Sequence, residues 1–266
     1  MNAAALGALA PIVERKREEA SRLRCAAAAL WARAEKAPPS RGFVEALQRG
    51  TVIAEMKRRS PSGGALRTDL DCAEVARDYA GAGVAALSVL TDGPDFGGSL
   101  DDLVAARAAV SVPVLRKDFV VDPVQIAEAR VAGADCVLLI VAILGASGLE
   151  ECLLAARRCG IDALVEVHDT EEARVAVDSG AACVGINNRD LRSLTSDLAT
   201  FARVRPLLPD SVRRVAESGV RNAADVARLV GEGADAVLAG EALMRAAQPA
   251  GLCRSFVDAA RGAAPR

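Results

Sequence analysis

The stretch AGADCVLLIV, Ala132 to Val141, decides the fold. A segment of helical pattern precedes it, then comes a Gly-Ala pair, then a short apolar run. A glycine just past a helix takes the left-handed conformation that closes the helix. An apolar run of this length, without strict alternation, suits a strand buried on both faces. The same order recurs in AGAGVAALSVL from Ala80, SGAACVGINN from Ser179 and EGADAVLAGE from Glu232. The expected closing glycines are Gly81, Gly133, Gly180 and Gly233, spaced by 52, 47 and 53 residues.

Each interval holds a second strand candidate, and Thr51–Met56 stands ahead of the first glycine. Eight strands follow, at 51–56, 84–90, 112–116, 135–141, 162–167, 182–186, 213–217 and 235–239. Helical patterns lie near 71–80, 100–109, 123–132, 147–159, 170–179, 197–205, 222–232 and 251–262. Eightfold strand–helix alternation predicts an α/β fold of the (β/α)8 TIM-barrel type. A doubly wound open sheet is the alternative, but no G-x-G-x-x-G follows the first strand. The expected organisation is one domain over 1–266, with a helical extension at 1–50 and the barrel at 51–262. The extension carries the charged amphipathic stretch IVERKREEASRLRCAAAALWARAEKA. It is read as packed over one barrel end, with a partner-binding helix as the alternative.

Composition narrows the function. The 266 residues are 52% hydrophobic and 26% charged, which suits a globular chain with a sizeable core. A net charge of -2 and 3% aromatics give no footprint for nucleic acid. The seven cysteines include no C-x-x-C, and His168 is the one histidine, so no metal cluster is expected. An odd cysteine count without a framework points to a reducing, cytoplasmic setting. The first 20 residues lack the basic start of a signal peptide. The longest apolar run, Cys136 to Leu144, is too short to cross a bilayer.

In a barrel, polar residues at the C-terminal ends of strands face the active mouth. Here those ends carry Glu55 and Lys57, then Lys117 in VLRKDF, Glu166, Asn187 with Arg189, and Glu217. Burying one charge without a partner costs several kcal/mol, and a single such residue is easily one half of a rim salt bridge. A ring of lysines and carboxylates exceeds what packing requires and would shift pKa values toward acid–base work. The segments ESGV and AGEALM follow strands seven and eight, where barrels commonly bind phosphate through glycine backbones and a helix N-terminus. Glu241 is expected to point away from such an anion. His168 reads as a satisfied hydrogen-bonder rather than a catalyst. Asp69, Asp71 and Asn222 read as helix caps. Arg116 and Asp118 alternate with Lys117 and so read as outward-facing ion-pair partners.

Seven segments together carry a resemblance. IAEMKRRSPSGG, LSVLTDGPDFGGSLDDL, PVLRKDFVVDPVQIAEARVAGAD, LVEVHDTEEA, GINNRDL, AESGV and LAGEALMRA resemble the indole-3-glycerol phosphate synthase family, in order, within residues 41–246. IVERKREEA resembles its leading helix. The resemblance implies a carboxy-lyase of tryptophan biosynthesis that needs no cofactor or metal. Its substrate is 1-(2-carboxyphenylamino)-1-deoxyribulose 5-phosphate, which closes to an indole with loss of CO2 and water. The residues that match imply Lys117 as general acid and Lys57 as a second lysine on the substrate carboxylate. They imply Glu166 as base in dehydration, and Glu55 and Asn187 as orienting groups, with Arg189 supporting Glu55. Ser60, Ser218, Gly219, Gly240 and Glu241 match the phosphate site, the last through its backbone. Phe96 and Phe119 match the apolar walls. A monomer or weak homodimer is expected. Gly93-Pro94-Asp95 departs from the family's basic or aromatic residue there, and Gly63 stands where a lysine is common. A related barrel such as a sugar-phosphate isomerase, or a non-enzymatic barrel that associates through its N-terminal helix, stays open at this point.

Overall fold

The structure is a computed structural model that describes residues 7–61, 63–190, 193 and 195–264. Eight parallel strands close into a barrel. They are β1 (Thr51–Met56), β2 (Ala86–Leu90), β3 (Val114–Lys117), β4 (Cys136–Ile140), β5 (Asp162–Val167), β6 (Cys183–Asn187), β7 (Arg213–Glu217) and β8 (Ala236–Ala239). Closure is made by β1, which pairs with β2 through Ile53↔Ala86 and with β8 through Thr51↔Ala236. A two-stranded ribbon, Arg59–Ser60 with Gly64–Ala65, follows β1.

Thirteen α-helices lie among the described residues. Three precede the barrel: α1 (Ala10–Arg24), α2 (Ala27–Ala34) and α3 (Phe43–Ala46). Then follow α4 (Cys72–Ala82), α5 (Gly93–Phe96), α6 (Leu100–Ala109), α7 (Val124–Val131) and α8 (Val141–Cys159). The last are α9 (Thr170–Asp178), α10 (Ala199–Val204), α11 (Ala223–Gly231), α12 (Glu241–Arg245) and α13 (Pro249–Ala263).

Two apolar layers follow from strand alternation. Ile53, Ala86, Leu115, Cys136, Leu138, Leu164, Cys183, Val215 and Leu238 fill the barrel interior. Val52, Leu87, Val114, Val137, Val165, Val184, Ala216 and Val237 point outward into the helix layer. The aspartates of the repeat work at the opposite end from the mouth. Asp135 accepts from Val114 N at 2.9 Å, and Asp235 from Arg214 N at 2.9 Å, so each fastens the start of a strand to its neighbour.

Some boundaries differ from expectation. Gly81 lies inside α4, and Gly83 closes that helix at φ 92°. The glycine two positions later lets the helix run on before it turns. Gly133, Gly180 and Gly233 do take positive φ. Helix α8 starts at Val141 rather than 147 and is broken at Gly145 (φ 61°, ψ −175°). Val141 and Ile143 are buried at the exit of β4, so the chain begins to coil at once and Gly145 redirects it. Asp71 caps α4 through Ala73 N and Glu74 N, and Asn222 caps α11 through Asp225 N.

The extension reaches both ends of the barrel rather than one. Helix α1 meets the mouth, where Arg15 pairs with Asp92 and Lys16 with Asp118. Helix α2 packs on α7 at the flank. At the far end Arg41 N donates to Asp135 and Val44 N to Asp162, and Phe43 is fully buried beneath the interior residues. No helix among the described residues is long and apolar enough to cross a membrane.

Candidate active site

Alternation places every second residue of a strand inward, so the last inward position of each strand rings the mouth. On β3 that position is Lys117, after Leu115. On β5 it is Glu166, after Leu164; on β6, Asn187, after Gly185; on β7, Glu217, after Val215. Lys117 Nζ donates to Glu166 Oε2 at 2.9 Å and to Glu217 Oε2 at 2.9 Å. Asn187 Nδ2 donates to Glu166 Oε1 at 3.0 Å. Glu55, on β1, accepts from Lys57 Nζ at 2.7 Å and from Ser88 Oγ at 3.4 Å. Glu55, Glu166 and Glu217 are all buried.

Burial alone would hold all three carboxyls neutral. At Glu166 burial is outweighed by Lys117, His168 and Asn187, and its pKa falls well below the carboxylate range. At Glu55 burial is likewise outweighed, by Lys57 and Lys117, and its pKa is lowered. Glu217 goes the other way: burial, aided by the charges of Glu166 and Glu55, exceeds the pull of Lys117 and lifts it to about 7. Lys117 is desolvated, but Glu166, Glu217 and Glu55 hold its pKa above the usual lysine value. The mouth therefore contains a charged lysine between one firmly ionised carboxylate and one that titrates near neutrality.

Glu217 is the residue sequence reasoning missed. The sequence places it at a strand end facing the mouth but assigns it no role there. Following the alternation from Val215 would have aimed it at Lys117. His168 is bracketed by two carboxylates, with Nε2 3.2 Å from Glu166 Oε1 and Nδ1 3.0 Å from Glu172 Oε2. The first contact is off hydrogen-bond alignment but within charge attraction. Burial would lower its pKa, yet the two glutamates lift it to about 10.

The rim differs from expectation in two places. Arg189 pairs with Glu241 at 3.4 Å, while Lys57 and Ser88 hold Glu55. Arg189 also uses its backbone N–H, donating to Asn187 Oδ1 at 3.0 Å. Glu241 does not turn away: it sits between Arg189 and Arg245, the latter at 3.2 Å, and those cations offset its charge. Arg245 Nη2 also donates to Gly63 O at 2.6 Å, so α12 is tied to the loop after β1. A side chain at Gly63 would meet Ser60, Glu241 and Arg245. Ser60 Oγ accepts from Gly63 N at 3.0 Å, and Ser62 lies outside the described residues.

Ser218 and Gly219 end β7 with φ of 62° and 82°. A non-glycine residue in the left-handed region is held there by its surroundings, and such strain clusters at functional sites. Gly240 lies against Glu55, whose Oε1 would be 2.5 Å from an added Cβ. Phe96 and Phe119 meet with ring centroids 5.8 Å apart and planes tilted by 42°. Arg116 and Asp118 do face the helix layer, where Arg116 Nη2 lies 3.0 Å from Asp118 and Nη1 2.9 Å from Glu128. Among the described residues no group of three His, Cys, Asp or Glu side chains is placed to hold a metal ion.

A closed (β/α)8 barrel with lysines and buried carboxylates gathered at the C-terminal strand ends defines the class: a TIM-barrel enzyme. Residues 9–256 match the family described as indole-3-glycerol phosphate synthase. Among relatives, the indole-3-glycerol phosphate synthase of Parafrankia sp. (strain EAN1pec) is 51% identical over 241 residues, 90% of each chain. Indole-3-glycerol phosphate synthase 2 of Streptomyces coelicolor is 49% identical over 255 residues, 94% of this chain and 99% of its own. The Mycolicibacterium smegmatis protein of the same name is 51% identical over 229 residues, 85% of this chain and 84% of its own. The chain belongs to the indole-3-glycerol phosphate synthase family, a family of carboxy-lyases.

Proposed function

We propose that this chain closes 1-(2-carboxyphenylamino)-1-deoxyribulose 5-phosphate to indole-3-glycerol phosphate. The observation that carries this reading is Lys117 Nζ, 2.9 Å from both Glu166 and Glu217 at the barrel mouth. In the first step the ring carbon bearing the carboxylate forms a bond to the ribulose carbonyl carbon. The carbonyl oxygen gains the electron pair and takes a proton from the Lys117 ammonium. CO2 then leaves, and its bonding electrons restore the aromatic ring. Finally the new hydroxyl leaves as water and a proton is lost from the neighbouring carbon, completing the indole.

The side chains suit these steps. Lys117 stays charged until an alkoxide, a far stronger base, develops beside it. Glu166 is already ionised and serves as the base of dehydration, oriented by Asn187. Lys57, aligned by Glu55, holds the substrate carboxylate and protonates the departing hydroxyl. Phe96 and Phe119 wall the aromatic ring. Ser60, Ser218, Gly219, Gly240 and the backbone of Glu241 cradle the phosphate, with Arg189 and Arg245 neutralising the Glu241 carboxylate next to it. The substrate is thus a phosphorylated small molecule, the pathway tryptophan biosynthesis, and the setting cytoplasmic. We propose one working unit, with 1–50 as an extension of the barrel at 51–262, acting as a monomer or weak homodimer.

The test is turnover of the anilino-ribulose phosphate by purified protein without added metal, followed by indole fluorescence. Lys117→Ala should lower kcat by about 10³-fold or more while binding of the phosphorylated product survives. Near-normal turnover by that variant would reject Lys117 as the acid. Absence of turnover by the unaltered chain would reject the reaction.

A further inference from the structure

Helix α1 delivers a buried lysine to the mouth from outside the barrel. Lys16 is 4% exposed. Its Nζ lies 2.9 Å from Asp118 Oδ1, 3.2 Å from Asp92 Oδ2 and 3.0 Å from Glu19 Oε2. Both aspartates are buried. Each is joined through the backbone to one wall of the proposed ring site. Asp118 follows Lys117, and its Oδ1 accepts from Phe119 N at 2.8 Å. Asp92 Oδ1 accepts from Asp95 N at 3.0 Å, which caps α5, and α5 ends at Phe96. The neighbouring Arg15 adds 2.8 Å and 2.5 Å contacts to Asp92 and Asp95.

Holding α1 in place does not call for this arrangement. Ile12 and Val13 already bury the helix in the same apolar cluster as Phe119 and Ile143. Arg24 pairs with Asp122 near its far end. A buried ion cluster is weak at stabilising, and its best-attested use is to fix one arrangement among several. The arrangement fixed here is the separation of two loops: the one after β2, which carries Phe96, and the one after β3, which carries Phe119.

We propose that Lys16 is a positioning residue for the substrate's aromatic ring: by bridging Asp92 and Asp118 it sets Phe96 against Phe119, so the N-terminal helix is part of the binding wall. This rests on the reading of the mouth as the ring-closure site. Lys16 itself touches no reacting atom in that reading, so its loss acts on binding before chemistry.

The experiment is a double-mutant cycle in the full chain with Lys16→Met, Phe96→Ala and the pair, plus Lys16→Arg. Lys16→Met should raise KM about tenfold with a smaller change in kcat, and Lys16→Arg should recover most of the loss. In the Phe96→Ala background, Lys16→Met should add less than about twofold, because the wall it sets is already gone. Should Lys16→Met fail to fold, Asp92→Asn replaces it in the same cycle, since asparagine keeps the cap and removes the charge. Independent, multiplying effects of the two substitutions, or a fall in Tm with KM unchanged, would overturn the proposal. A wild-type chain that turns nothing over would overturn the functional reading and this one with it; wild-type turnover with independent effects overturns this one alone.

Discussion

Lys117 divides protonation unequally between the two carboxylates it touches. Glu166 has three partners that favour its charge, Lys117, His168 and Asn187, and they overcome its burial. Glu217 has Lys117 alone, against burial and the charges of Glu166 and Glu55, and rises from an ordinary 4.5 to about 7. Between those two values the folded chain binds a proton at Glu217 that the unfolded chain does not, so stability falls as pH rises through this window. Above it the penalty persists in full. Glu217→Gln should therefore raise stability at pH 8 by about 1–3 kcal/mol and change it little near pH 4, while turnover falls. Thermal unfolding at the two pH values, beside a turnover assay, checks this. His168 has the opposite effect. Its folded pKa of about 10 exceeds the ordinary 6.5, so its stabilisation is complete below 6.5 and fades as pH rises through 10. Replacing it with glutamine should flatten the decline of Tm across that range. It should also move the acid limb of the rate profile upward, because Glu166 then loses one of the cations that keep it ionised.

Strand β6 makes room for the Glu217 side chain of β7. A Cβ on Gly185 would lie 1.9 Å from Glu217 Oε1, an oxygen with no hydrogen-bond partner among the described residues. Gly185→Ala must push that carboxylate and its Lys117 contact aside, and a misplacement of about 1 Å at an active mouth can cost 10²-fold. We expect kcat/KM to fall by about that factor with the far-UV circular dichroism unchanged. Gly231 supplies the contrast: it is helical, and an added Cβ there meets nothing within 4 Å. Gly231→Ala should stabilise by about 1 kcal/mol and leave kcat/KM as it was. The same elements show what a sequence can disclose. The Gly-Ala repeat exposed four strands and the apolar runs between its glycines the other four, and alternation sorted Lys117 from Arg116 and Asp118, because all of these depend on neighbours along the chain. Gly83 displaced Gly81 because two glycines stood within reach of one helix end. Glu217 meeting Lys117 and Lys16 meeting Asp118 depend on barrel closure and on where α1 docks. Those are distances between segments, and periodicity carries no trace of them. The departures at Gly63 and Gly93-Pro94-Asp95 became intelligible only with contacts. Arg245 and Glu241 fill the space beside Gly63, and Arg59 Nη2 donates to Gly93 O and Pro94 O at 3.2 and 2.5 Å.

The chain before the barrel behaves as a clamp, with α1 at the mouth, α2 on the flank and Phe43 beneath the interior. Peeling it away would expose Phe43 and Leu47, both fully buried, at about 2 kcal/mol each. It would also strand Asp92 and Asp118 without the Lys16 ammonium, leaving carboxylates that burial penalises. The extension and the barrel are therefore expected to unfold together. Trp31, the one tryptophan, reports on this directly: it sits on α2, with the Arg158 guanidinium 4.4 Å above its ring. Its fluorescence follows the clamp, whereas far-UV circular dichroism follows the strands and helices of the barrel. In a urea titration the two signals should trace one transition with a common midpoint, the mark of a cooperative unit. Turnover, if the mouth depends on α1, should vanish along the same curve. A tryptophan transition at clearly lower urea, with barrel ellipticity and turnover retained, would show instead that the first 50 residues are separable from the fold and from the site.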